Sequence, residues 1–428
     1  MALTKEGYKE RLIDKKIDRY LKIFGALSIE GPKWCGKTWT ALNHCNSAIY
    51  LDETEENYNT RAKAEIDVGL ILGEDYPELI DEWGRIPAVW DAVRHRCDMD
   101  KIKGKYILTE STTIRDKSKI HHSGAGRIDR LKMYSMSLYE SGDSTGEISL
   151  TDMFEGKKIC KTTKMKPTYE GLAKLIVRGG WPENISTDDN DLHILPQSYI
   201  NAVLESDISK DGVLRDKNKM RMLLKSLARN ESTVVSNNTL IRDIEEVATD
   251  EEYTVSRNTI TDYLNILENL YLLENQEAYT TNLRSKEKVG KSSKRHFTDP
   301  SLACAVLSIT PKILENDIRT FGLMFEALVE RDLRIYIESL GGKLYHYRNN
   351  NNGVEVDAIV ELPTGEFGAI EIKLGTNEIE SAKESLTKFS NEVKVEPKFK
   401  CIICGLWDAV VKDEETGIYI IPITALKP

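Results

Sequence analysis

Gly31-Pro32-Lys33-Trp34-Cys35-Gly36-Lys37-Thr38 reads G-x-x-x-x-G-K-T, the pattern of a phosphate-binding loop. An apolar run over 24–29 precedes it and a helix-like stretch over 39–42 follows. That is the strand–loop–helix context the motif needs. Glycines let backbone N–H groups approach phosphate oxygens, and the N-terminus of the following helix adds partial positive charge. Lys37 reaches toward the β- and γ-phosphates, and the Thr38 hydroxyl holds Mg²⁺. Residues 31–38 therefore predict binding of a nucleoside triphosphate, with ATP and Mg²⁺ as cofactors.

Around this loop the chain reads as an α/β protein. Over 1–195, short apolar strands at 27–30, 48–51, 78–80 and 105–109 alternate with helical stretches at 39–43 and 88–97, the pattern of a P-loop ATPase domain. The polar segment 143–166 reads as a loop or insertion at that domain's edge. A helical region follows over 196–298. Its amphipathic segments at 220–227, 240–247 and 260–270 precede a strand-like 276–280, which suggests a winged helix-turn-helix. The basic run Arg284, Lys286, Lys288, Lys291, Lys294 and Arg295 falls where the wing belongs. A third domain, 299–428, is predicted as a helix at 321–340, strands at 343–347, 354–361 and 367–373, a helix at 378–390 and a strand at 398–403.

Composition narrows the class. The chain has 428 residues, 40% hydrophobic and 30% charged, enough for two or three ordinary domains. A net charge of −10 argues against wholesale coating of nucleic acid. No apolar run approaches the ~20 residues that span a bilayer, and the charged start over 1–19 lacks a signal-peptide core. The expectation is a cytoplasmic protein with no membrane partner. Seven scattered cysteines suit a reducing compartment. The Cys401 and Cys404 pair sits in an apolar run and reads as core packing rather than a metal or redox site.

Hydrolysis needs a second element, an apolar strand ending in acid and placed beside the first strand. Glu78-Leu79-Ile80-Asp81-Glu82 fits. Asp81 would help hold Mg²⁺ and Glu82 would polarise the attacking water. Further blocks then point to one family: Leu79-Ile80-Asp81-Glu82-Trp83, Tyr106-Ile107-Leu108-Thr109, Ser123-Gly124-Ala125-Gly126-Arg127, Met136-Ser137-Leu138-Tyr139-Glu140 and Gly179-Gly180-Trp181-Pro182-Glu183. Together they resemble the prokaryotic and archaeal AAA-type ATPases that carry a C-terminal domain of unknown function. The resemblance covers essentially the whole chain.

That resemblance implies Lys37 and Thr38 at phosphate and metal, with Asp81 and Glu82 as the Walker B acids. It also implies that the glycine–aromatic–proline block closes the ATPase module. The family places a γ-phosphate-sensing polar residue in a Thr-Gly-Ser after the fourth strand, where this chain has Thr109-Glu110-Ser111. Thr109 or Ser111 is the candidate sensor, and Glu110 must point away from a triphosphate to be tolerated. Arg127, and after it Arg130, are candidates for the arginine that ring ATPases supply from a neighbouring subunit. Arg178 is a candidate for contacting the γ-phosphate in cis. The expected assembly is a homo-oligomer, a hexamer first.

In the C-terminal part, Asp357 on one strand and Glu371 and Lys373 on the next form a D…E-x-K pattern. Alternation places Glu371 and Lys373 on one face. Two carboxylates for Mg²⁺ and a lysine beside the scissile phosphate make the layout of a metal-dependent nuclease, and the stretch resembles restriction-endonuclease-like folds. Glu326 or Glu330 on the preceding helix is the further acid such cores often have. The leading functional expectation is a DNA-associated AAA-type ATPase motor or switch with a nuclease-like module. The alternative is an ATP-dependent switch or scaffold for protein partners without nuclease activity.

Overall fold

Short, mostly apolar segments set the first layer, with the more polar Ile128-Asp129-Arg130-Leu131-Lys132 at its edge. In the computed structural model, which describes residues 3–52, 59–99, 101–111, 121–206, 208, 215–246, 255–280, 293–349 and 352–428, they become five parallel strands. These are β1 (Ala26–Glu30), β2 (Ser47–Tyr50), β3 (Glu78–Asp81), β4 (Tyr106–Glu110) and β5 (Ile128–Lys132), in the order β2-β3-β4-β1-β5. β1 pairs in parallel with both β4 and β5. Strands covered on both faces read as nearly continuous apolar runs, and β4 is buried along its whole length.

The helix Ala88–Met99 turns Val89, Trp90, Val93 and Cys97 inward. Trp90 packs on Trp83 with ring centroids 4.9 Å apart. Burying each such side chain contributes roughly 1.5–3 kcal/mol. The acid-ending strand, expected beside the first, is not its neighbour. β4 intervenes between β3 and β1, and this brings Thr109 between the phosphate loop and the acids.

The chain divides into two compact units, Met1–Ser135 with Ile266–Leu272, and Met136–Asn265 with Leu273–Pro428. The boundary expected near 195 falls inside the helix Ile194–Ser206. The segment 143–166, expected as a loop at the edge of the ATPase domain, belongs to the second unit and contains β6 (Ile148–Ser149) and β7 (Cys160–Thr162). β7 forms the edge of that unit's large sheet by pairing with a later strand, and all three of its residues are exposed. An exposed edge strand shows no alternation of apolar and polar residues, so the sequence pattern does not reveal it.

Further strands of the second unit are β8 (Leu273–Gln276), β9 (Lys294–Phe297), β10 (Lys343–Arg348), β11 (Glu355–Glu361), β12 (Phe367–Lys373), β13 (Phe399–Cys404), β14 (Ala409–Lys412), β15 (Tyr419–Ile421) and β16 (Leu426–Lys427). Seven strands form one sheet, in the order β10-β11-β12-β13-β15-β14-β7. The helix Ile379–Glu392 sends Ile379, Ala382, Leu386 and Phe389 into its core, against Val356, Ile359 and Phe367. The helices Lys217–Arg229, Asn237–Glu245 and Arg257–Asn269 form as expected, and an antiparallel ribbon β8–β9 follows them in sequence. The first ribbon strand is β8 rather than 276–280, because the buried Leu272-Leu273 pair starts it earlier.

Of the basic run, Arg284, Lys286, Lys288 and Lys291 lie outside the described residues. Lys294 and Arg295 lie in β9 and are not free cations. Lys294 is 2% exposed and ion-paired with Glu326 at 2.8 Å. Arg295 donates to the Val235 carbonyl and to Asn237, each at 2.9 Å. No helix among the described residues is long and apolar enough to cross a membrane.

Candidate functional site

The loop between β1 and the helix Lys37–Leu42 is shaped by two tight features. Gly31 lies so close to Met133 that a Cβ would come within 2.1 Å of the Met133 carbonyl oxygen. Gly36 has φ 99, a left-handed conformation that favours glycine. Trp34 adopts φ 63, unusual for a bulky residue. Lys37 is 5% exposed, and its ammonium donates to the carbonyls of Gly31 at 3.0 Å and Pro32 at 2.8 Å. The lysine thus closes the loop over its own backbone and holds a cation inside it.

The acids sit at the end of β3. Asp81 Oδ1 accepts hydrogen bonds from Thr38 Oγ1 at 2.8 Å and Thr109 Oγ1 at 2.5 Å. Burial pushes the Asp81 carboxyl above its ordinary pKa, against the pull of these two hydroxyls and of Lys37. Glu82 turns out of the strand with φ 54. Its N–H donates to Thr109 Oγ1 at 3.4 Å, and its carboxylate accepts Ser111 Oγ at 2.7 Å.

Thr109 and Ser111 are thus both placed, one on each acid. Glu110 is turned aside. Its carboxylate accepts the Ser111 N–H at 3.0 Å and lies against Gly84, where any Cβ would come within 1.8 Å of it. A glycine after Glu82-Trp83 makes room for the glutamate that replaces the usual glycine of β4. Neutral hydroxyls hold Asp81 and Glu82 in place without cancelling their charge. A carboxylate and a hydroxyl on one point, Asp81 and Thr38, fit a hard cation such as Mg²⁺.

The candidate arginines are engaged within the chain. Arg127 ion-pairs with Asp98, whose carboxyl is held below its usual range chiefly by that hydrogen bond. Arg130 pairs with Glu30 at 2.5 Å and lies over the Trp90 ring, 4.5 Å from its centroid. Glu30 also accepts Tyr271 Oη at 2.9 Å. Arg178 lies in the second unit, paired with Asp143 at 2.5 Å. The block after it is there too: Gly180 donates its N–H to Asp299 at 2.9 Å, and Trp181 Nε1 donates to Ser301. Sequence reasoning missed Arg11, which reaches the loop from well upstream and whose charge in a run of charged residues gave no signal.

In the second unit the D…E-x-K residues do converge. Lys373 Nζ lies 3.2 Å from Asp357 and 2.7 Å from Glu371. Asp357 also accepts the Ile372 N–H at 2.8 Å, and Glu371 accepts Ser385 Oγ at 3.0 Å. Burial and the neighbouring Asp357 charge push Glu371 up to about 8. Asp357 stays below its ordinary pKa despite burial, because Lys373 and Lys294 outweigh it. Glu326 and Glu330 share Lys294, at 2.8 and 3.6 Å, and Glu330 also lies 3.1 Å from His296. Among the described residues no group of three or more His, Cys, Asp and Glu is arranged to hold a metal. As arranged, the two carboxylates expected to bind Mg²⁺ are bridged by an ammonium, which does not fit a resident divalent ion.

Comparison with known proteins finds three matches along the chain. Residues 24–142 match a family described as an AAA domain. Residues 169–313 match a domain of unknown function (DUF8612), and residues 321–426 match another (DUF4143). The protein thus carries an AAA-type P-loop ATPase domain, which implies nucleotide binding. No curated protein matches the sequence.

Among solved structures, similarity is found to the Walker-type ATPase PABY2304 of Pyrococcus abyssi, at 11% identity over 72% of this chain and 98% of that one, TM-score 0.45. The Aeropyrum pernix ORC1 protein in complex with DNA is similar at 10% identity over 71% and 94%, TM-score 0.25. The FIGL-1 AAA domain in complex with ADP is similar at 12% identity over 65% and 81%, TM-score 0.20. Likenesses of this degree decide nothing about chemistry.

Proposed function

We propose that the protein is an ATP-hydrolysing AAA-type switch or motor that acts as a homo-oligomer, a hexamer first, and works on DNA. One observation carries the hydrolytic part. Thr38 and Thr109 meet on Asp81 while Ser111 holds Glu82. In this reading Thr38 and Asp81 would hold Mg²⁺, which would supply positive charge to offset that of the triphosphate. Glu82 takes the proton of an attacking water, with its carboxylate oriented by Ser111. Thr109, bonded to Asp81 and to the Glu82 N–H, would report an occupied γ-phosphate position to both acids. Arg127 or Arg130 would leave its internal partner to serve the site of a neighbouring subunit.

The DNA assignment is supported by the helix content of 217–269 with its β8–β9 ribbon, read as a winged helix, and by the D…E-x-K convergence, read as a nuclease-like core. Salt-dependent binding of duplex DNA by the purified protein tests it, since phosphate contacts give a steep loss of affinity with salt. Absence of binding at low salt would remove DNA from the reading. Cleavage in Mg²⁺ or Mn²⁺ that Asp357→Ala abolishes would establish the nuclease part.

A specific observation favours a second reading, an ATP-dependent scaffold for protein partners without nuclease activity. Lys373 and Lys294 already neutralise the second unit's acids, and Lys294 and Arg295 are bound into the fold rather than presented to a phosphate backbone. Under this reading the wild-type protein cuts neither DNA nor RNA, and only the nucleotide chemistry remains.

A further inference from the structure

We infer that Arg11 is a positioning residue for the phosphate loop. It fixes, from outside the segment that matches the AAA family, the backbone donor that a bound phosphate uses. The matched segment begins at residue 24, so no property of that family assigns Arg11 a role. The inference rests on the reading of residues 31–38 as a nucleotide loop.

Arg11 is 5% exposed. Its guanidinium donates from Nη1 to the Cys35 carbonyl at 2.8 Å and from Nη2 to the Tyr134 carbonyl at 2.9 Å. A guanidinium presents its donors in a rigid planar fork, so these two carbonyls are held at a set spacing. Cys35 belongs to the loop, and Tyr134 follows β5. The neighbouring Met133 carbonyl is the one that Gly31 packs against. Arg11 therefore ties the loop to the chain segment beneath it, at the opposite end of the loop from Gly31.

The consequence for binding follows from peptide geometry. In a planar trans peptide the C=O of one residue and the N–H of the next point in opposite directions. With the Cys35 carbonyl held toward Arg11, the Gly36 N–H is directed away from the guanidinium, the orientation in which it would serve a phosphate oxygen. Lys37 holds the carbonyls of Gly31 and Pro32, so carbonyls at both ends of the loop are bonded to cations.

Arg11 is itself held firmly. Its N–H donates to Asp14 at 2.8 Å, and Asp14 accepts Tyr8 Oη at 2.8 and 2.9 Å. Tyr8 Oη also reaches Thr40 Oγ1, on the loop's helix, at 3.3 Å. The segment from Tyr8 to Asp14 thus grips both the loop and the helix that follows it.

The test is ATP binding in Mg²⁺, measured by calorimetry on full-length wild type, Arg11→Ala and Arg11→Lys, with guanidinium ion added to Arg11→Ala. The expected result is a loss of affinity of about tenfold to a hundredfold for Arg11→Ala, the range for a hydrogen bond from a charged donor. Millimolar guanidinium should restore part of it. Arg11→Lys keeps the charge but not the fork, so it should bind ATP more weakly than wild type while unfolding at a similar temperature. If Arg11→Ala does not fold, Arg11→Lys alone decides.

Wild-type affinity in Arg11→Lys, or in a folded Arg11→Ala, overturns the inference. So does failure of guanidinium to restore any binding to a folded Arg11→Ala that has lost it, because the loss is then general damage. A wild-type protein that binds no ATP contradicts the nucleotide reading itself, a separate failure that the wild-type control exposes.

Discussion

Two pairs of carboxylates in this protein are held in opposite ways. Asp81 and Glu82 in the first unit are held by the hydroxyls of Thr38, Thr109 and Ser111. Asp357 and Glu371 in the second unit are held by the ammonium of Lys373, with Lys294 close behind. A hydroxyl orients a carboxylate and leaves its charge for an incoming cation. An ammonium orients it and cancels the charge. An acid motif is therefore not the same as its use: in the proposed reading the first pair serves chemistry that needs a metal, whereas the second lies against lysine ammonium groups.

The comparison breaks most visibly where the second unit's charges are removed from one side. Asp299, Arg331 and Asp332 form a buried chain, with Arg331 at 3.0 and 2.7 Å from the two carboxylates. Asp332 also accepts the Leu138 N–H at 2.9 Å. Arg331→Met should leave two buried carboxylates without their cation and cost about 3–5 kcal/mol of stability, read as a lower denaturant midpoint. A change below 1 kcal/mol would mean the network is not what holds that core.

Lys37→Ala in the first unit should weaken ATP binding by about tenfold to a hundredfold through loss of a charged donor, while the denaturant midpoint moves little. Lys294→Met sharpens the contrast from the other side. With its cation gone, Glu326 and Glu330, which share Lys294, should gain affinity for Mn²⁺ in a paramagnetic titration relative to the wild type. Equal binding by both proteins would mean the ammonium is not what excludes the ion.

The smallest effect concerns pH. His44 contacts Asp14 at 3.1 Å and Asp18 at 2.8 Å. Burial opposes its charging, but the two carboxylates outweigh it, so its pKa is raised above the ordinary imidazole value. A raised folded-state pKa means the stabilisation is full below the unfolded pKa, about 6.5, and is lost as pH rises through the folded value. The stability gap between wild type and His44→Gln should therefore narrow from pH 6 toward alkaline pH, as read by thermal midpoints. A gap that widens with pH would reverse the assignment.

What could be read from sequence follows physical lines. The phosphate loop, the parallel strands and the E-x-K strand were legible because each is a local pattern: a glycine spacing, an apolar run, an alternation. β7 was not, since all of its exposed residues can sit at a sheet edge without an apolar signal. The strand order was not either, and it matters, because β4 lies between the loop and the acids and puts Thr109 on Asp81. Arg11 was not legible as a site residue, and Lys294 was legible only as a wing cation, for a shared reason. Each is a charged residue in a charged stretch, and only the fold shows that one holds the Cys35 carbonyl and the other the acids on Ile318–Ser339.

The central claim, that the first unit's acids are positioned for hydrolysis rather than only for binding, is tested most directly by Glu82→Gln. Steady-state ATP turnover and ATP affinity are measured on the same preparation in Mg²⁺. The substitution keeps the shape and the Ser111 contact but removes the base, so turnover should fall by about a hundredfold to ten-thousandfold with affinity within a factor of about three of wild type. Turnover at the wild-type rate would contradict the claim.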